Sequence, residues 1–217
     1  MNQSQLSRFN VSSLLADPGG FAARLRDADR FALPAAFLAT VSLAGAAVFG
    51  FAVGSFVDVQ VALADSAKMA GIVSFSFVLT YPTMYVFASI SGSTLSPTRL
   101  LGLGLVATAT LGCILAALAP VLWLFSVSTE AVGFIVVFAV LLAGIGAFFA
   151  MSTLARARQS GVVVSITGLA TWFVVFAVVA LQTVTLVRPI LTPLGSPRDP
   201  AGKCFFLGHF ARAVADV

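Results

Sequence analysis

Charge is what this sequence has least of. Of its 217 residues only 9% are Asp, Glu, Lys or Arg, where a soluble domain carries roughly 25%. So few charges cannot clothe a water-facing surface, so a soluble globular domain is excluded. Histidine occurs once, as His209, and cysteine twice, as Cys113 and Cys204. That set makes no zinc site and no disulfide framework. No Ser–His pair, carboxylate pair or His-Glu-x-x-His is available for proteolysis within a membrane, and no histidine in an apolar run could ligate haem. The pairs Gly102-x-Gly104 and Gly144-x-Gly146 lack the lysine and the strand-to-helix setting of a phosphate loop. The expected cofactor set is therefore none, and the chain reads as no enzyme.

What is present is grease in long runs. Hydrophobic residues make up 59%, and they fall in stretches long enough to cross the ~30 Å hydrocarbon layer as helices. Five such spans are expected: 33–57, 69–91, 100–125, 132–154 and 162–187. The runs do not alternate polar and apolar residues, so a barrel is excluded. The fold class is all-α, a polytopic bundle of five transmembrane helices with short amphipathic segments at either end. Residues 1–31 form the N-terminal segment, 32–188 the membrane domain and 189–217 the tail. No short apolar stretch with a cleavage site comes first, so no signal peptide is expected.

The N-terminal segment breaks at Asp17-Pro18-Gly19-Gly20. Phe21 to Arg30 then mixes charge with a thin apolar stripe, read as a short helix at headgroup level or as a solvated helix leading into the membrane. The tail is rich in proline, at Pro189, Pro193, Pro197 and Pro200. It closes with an expected amphipathic helix from Lys203 to Ala213.

The net charge of +4 is arranged for orientation, not for nucleic acid. Arg24, Arg26, Arg30, Arg99, Arg156 and Arg158 fall on one side. Asp58, Asp65, Lys68 and Glu130 fall on the other. Positive charge stays cytoplasmic, which places the N-terminus inside and, with five spans, the tail outside, against which the tail's Arg188, Arg198, Lys203 and Arg212 count. The polar stretch 58–68 reads as a connection, which leaves the interiors of the five spans free of ionisable residues. A buried charge in lipid marks function by default, so its expected absence argues against a proton-coupled carrier.

The remaining signals concern packing. Ser42, Ala46, Gly50 and Gly54 recur every four residues, as do Thr108, Gly112 and Ala116, and Ala139, Ala143 and Ala147. Small residues at that spacing let two backbones approach closely. Internal packing is the favoured reading, and a protein partner the other. Tyr81-Pro82-x-x-Tyr85 is the most distinctive element within a span. Pro82 frees the carbonyl of Val78 and should kink the helix. The two tyrosines, one turn apart, could line a polar crevice or lipid pocket, or simply flank the kink, which is favoured. Gln182 either bonds across helices or reaches the interface.

Three stretches resemble a group of bacterial five-span inner-membrane proteins of unknown function. They are Asp17-Pro18-Gly19-Gly20-Phe21 with Arg24-Leu25-Arg26, then Ala64 to Lys68 with Tyr81-Pro82-x-x-Tyr85 and Gly92 to Pro97, and lastly Gln182 to Pro189 with Ser196-Pro197 and Phe205-Phe206. In layout the chain is also similar to the YIP family, five-span proteins that bind Rab GTPases, although no Rab-binding motif is visible. The resemblance implies a bacterial inner-membrane protein. Together with the packing faces it suggests a scaffold or accessory subunit whose partners are membrane lipids and other membrane proteins or further copies of itself. The alternative is a channel or lipid-handling protein.

Overall fold

The structure is a computed structural model that describes residues 11–17, 20–21, 31–93, 95–159 and 167–187. The expected helix at 203–213 lies outside these residues, as does most of that at 21–30. The described residues form α-helices: α1 (Val11–Ala16), α2 (Ala32–Gly54), α3 (Val59–Ile90), α4 (Pro97–Ser128), α5 (Val132–Gln159) and α6 (Thr167–Leu186). From α2 onward, five helices are long and apolar enough to cross a membrane. The chain is thus a multi-pass all-helical bundle.

The helix boundaries follow from local chemistry. Pro97 opens α4, where its missing N–H is no loss. Gly92 takes φ 79° after α3, and the amide of Ser93 returns to the carbonyl of Ala88 at 3.0 Å. Only glycine adopts that backbone without a Cβ penalty, so the chain turns there.

α3 begins ten residues before the expected span at 69. The stretch 58–68 is helical, not a connection. Asp58 caps the helix, its Oδ1 accepting the Val61 amide at 2.7 Å. Asp65 and Lys68, one turn apart, neutralise each other. With its charges cancelled and its first amides satisfied, the polar sequence has no reason to leave the helix.

The helices are arranged as a ring in the order α6, α3, α2, α4, α5, with α5 returning to α6. α2, α4 and α6 run one way, α3 and α5 the other. The hydroxyls of Ser55 and Ser126, 3.1 Å apart, tie the ends of α2 and α4 together on one side. On the opposite side Gly168, in the first turn of α6, meets the carbonyl of Phe87 near the end of α3. Most buried apolar residues belong to one core, which includes Phe49, Phe77, Met84, Leu122, Leu154 and Trp172. A smaller one gathers Leu14, Phe21, Leu38, Val106 and Ala109.

Candidate functional site: the seams of the helix bundle

Among the described residues, the tightest helix-to-helix contact at a glycine is between α2 and α4. A Cβ on Gly45 would run into the backbone of Gly112, and one on Gly112 would sit 2.9 Å from the Cα of Ser42. Bare backbone against bare backbone lets dispersion act over the whole crossing, which is how helices associate where water is absent. Ser42, Ala46, Thr108 and Gly112 are buried here, while Ala116 is half-buried. Thr108 directs its hydroxyl to its own helix, onto the Gly104 carbonyl at 3.1 Å.

The other side of α2 meets α3. A Cβ on Gly50 would lie 2.5 Å from the Asp65 carbonyl, and one on Gly54 would lie 2.6 Å from the Cα of Ala62. Both faces of α2 are therefore filled from within the chain. Of the residues at these contacts, Gly45 is the one that four-residue spacing passes over, because it lies one position away from the expected stripe.

The α2–α3 seam also holds a buried ion pair. Asp65 is fully buried, and its Oδ1 accepts from Lys68 Nζ at 2.7 Å, with the lysine side chain 21% exposed. Gly50, beside Asp65, lies four residues before the end of α2, or about 6 Å inside that end. The carboxylate thus lies inside a helix long and apolar enough to cross a membrane, in a stretch that was expected to connect two spans. The spacing of Asp65 and Lys68 was the available signal. Two opposite charges three residues apart on a helix neutralise each other and enter lipid far more easily than either alone.

Ala139, Ala143 and Ala147 on α5 are half-buried and pack against the main core. Gly146 meets Leu111 of α4. The outward face of the same helix is open. Leu141, Ile145 and Phe148 are exposed, and a Cβ on Gly144 would touch nothing.

Tyr81, Pro82 and Tyr85 do not converge. Tyr81 donates its hydroxyl to the carbonyl of Pro97 at 2.9 Å, linking α3 to the start of α4. Pro82 and Tyr85 are exposed on the outside of α3. The opposite face of this stretch is the structured one. Trp172 of α6 is fully buried and donates from Nε1 to the carbonyl of Thr80 at 3.0 Å. Its ring meets Phe77 edge-on at 6.1 Å and stacks on Phe176 at 5.8 Å. This hydrogen-bonded aromatic cluster fixes α6 on α3, and the sequence reading did not single out Trp172.

Among the described residues no group of three or more His, Cys, Asp or Glu comes together to hold a metal. Comparison with protein-family models, curated proteins and solved structures finds no match.

Proposed function

We propose that this protein is a non-catalytic membrane scaffold or accessory subunit that binds another membrane protein, or a second copy of itself, within the bilayer. The observation that supports it most is the contrast in how its chemistry is spent. Three of the buried polar groups are engaged inside the bundle: Asp65 on Lys68, Trp172 on Thr80, Thr108 on its own helix. What faces outward is apolar helix surface, and α5 has the least covered and most hydrophobic span of the five. A bundle organised this way presents surface and holds shape.

The proposed location is a bacterial inner membrane with the N-terminus cytoplasmic. Arg99 and Arg156 stand at one end of the bundle, Asp58 and Glu130 at the other. That asymmetry favours the arginine end inside. The resemblance of three sequence stretches to bacterial five-span inner-membrane proteins supports the same location.

The test uses the exposed flank of α5. Phe148→Cys and Ile145→Cys variants, in a Cys113→Ser, Cys204→Ser background, are crosslinked in intact membranes. The expected result is a discrete higher-mass adduct, either a dimer or a complex with one defined partner, that survives mild detergent. A chain that stays a lone monomer at every outward position, and purifies alone, would sink the proposal.

A further inference from the structure

The chain has two tryptophans and two tyrosines, and the bundle bonds one of each to itself. Trp172 donates to the Thr80 carbonyl and Tyr81 to that of Pro97, each tying two helices together. Trp123 on α4 and Tyr85 on α3 are instead 49% and 44% exposed, and among the described residues neither has a hydrogen-bond acceptor. Acyl chains offer no acceptor, so such a donor stays unpaired in hydrocarbon. At headgroup level it meets ester and phosphate oxygens, while its ring keeps an apolar setting.

The two outward donors stand at opposite ends of the bundle. Tyr81 reaches Pro97, the first residue of α4, and Tyr85 lies one turn closer to the end of α3. Tyr85 is therefore about level with the start of α4. From Pro97 to Trp123 α4 runs 26 residues, about 39 Å. That distance exceeds the ~30 Å of hydrocarbon and falls just inside the ~40–45 Å of a bilayer with its headgroups.

Charge keeps to the same two levels. Arg99 is exposed at the level of Tyr85. At the other end the contact of Ser55 with Ser126 fixes the register. Trp123 lies three residues inside Ser126, about 4.5 Å, and Gly50, which meets the Asp65 carbonyl, five inside Ser55, about 7.5 Å. The Asp65–Lys68 pair is thus about 3 Å from Trp123 in depth. Between Arg99 and Trp123, α4 carries no Asp, Glu, Lys, Arg or His.

We propose that Trp123 and Tyr85 are lipid-headgroup contacts of this bundle, one in each leaflet, and that the hydrocarbon layer lies between them. The indole N–H and the phenol O–H donate to lipid ester or phosphate oxygens. The Asp65–Lys68 pair then lies at the inner edge of a headgroup layer. Helical side chains lean towards the N-terminus, so the lysine stem reaches outward along α3 to that layer.

Depth is read by quenching of tryptophan fluorescence in phosphatidylcholine vesicles whose lipids carry a nitroxide either at the headgroup or near the end of an acyl chain. Three full-length chains with one tryptophan each are compared. Trp172→Phe keeps Trp123. Tyr85→Trp and Phe148→Trp are each combined with Trp123→Phe and Trp172→Phe. Phe148, 70% exposed on α5, supplies the mid-bilayer standard, since it lies two residues from Gly146, which meets Leu111 near the middle of α4. The tryptophans at 123 and 85 should be quenched more by the headgroup label, and that at 148 more by the acyl-chain label. If Trp172→Phe does not accumulate, Trp172 is retained, and the difference between chains with and without each outward tryptophan gives the same readout. The reverse order at any of the three positions overturns the proposal. So does a tryptophan at 123 or 85 that neither label reaches, because a second copy of the chain then covers it.

Discussion

Two flanks of this bundle are written with the same small residues and end in opposite surroundings. Around α2, glycine meets backbone on both sides, at Gly45 against Gly112 and at Gly50 against the turn of Asp65. On the outer flank of α5, Gly144 faces open space between the exposed Leu141 and Phe148. The difference shows that small residues permit close packing without locating it. Close contact forms where the facing helix brings its backbone up to the glycine, as Gly112 of α4 does for Gly45 and Ala62 of α3 for Gly54. On α5 the small residues spread around the helix. Those at Ala143, Gly146 and Ala147 turn inward, and Gly144 does not.

Substitution should separate the two flanks by size of effect. The largest loss is expected in the α2–α3 seam with Lys68→Met, which leaves the carboxylate of Asp65 buried without its cation. Removing one partner of a buried pair costs about 3–5 kcal/mol. It should show as a large fall in thermal stability in detergent, much of it recovered in the double variant with Asp65→Asn. If the single variant is as stable as the parent, the pair is not buried in the way described.

Gly45→Val comes next. Its added carbons meet the Gly112 backbone, which cannot retreat as a flexible side chain would. Overpacking of this kind costs about 3 kcal/mol. A circular dichroism melt should shift clearly downward, and no shift would mean that α2 and α4 are not in backbone contact.

Trp172→Phe keeps the ring but removes the bond to the Thr80 carbonyl, worth about 1 kcal/mol. A modest drop in melting temperature with the fold intact is expected. The smallest loss belongs to Gly144→Ala. An open position should not destabilise the monomer, since helix propensity favours alanine there by about 0.5–1 kcal/mol. If it alters assembly in membranes without destabilising the monomer, the α5 flank is a contact surface, and the comparison between flanks is sharpened.

How much of this was legible in the residues differs from element to element. Long apolar runs announce helices because nothing else satisfies the backbone in lipid, so the five spans could be read directly. The start of α3 could not, because polarity was taken to mean a connection. Charge cancellation between Asp65 and Lys68, with the cap supplied by Asp58, keeps the helix going. The fourfold stripe on α2 pointed to the packed helix but missed Gly45, since the crossing geometry with α4 selects the residue at the point of contact. Tyr81 and Tyr85 share a helical spacing, yet one reaches Pro97 and the other faces outward. A one-turn separation fixes relative position on a helix, not which neighbour stands opposite. Trp172 gave no periodic signal, because its role comes from a carbonyl on a helix distant in sequence.

α2 has 23 residues and its two neighbours α3 and α4 have 32 each. At 1.5 Å per residue these are rods of about 35 and 48 Å against a hydrocarbon layer of ~30 Å. The short rod nearly matches the layer, while the long ones must lean or protrude. A thinner or thicker membrane therefore acts chiefly on the lean of α3 and α4, with α2 as the strut between them.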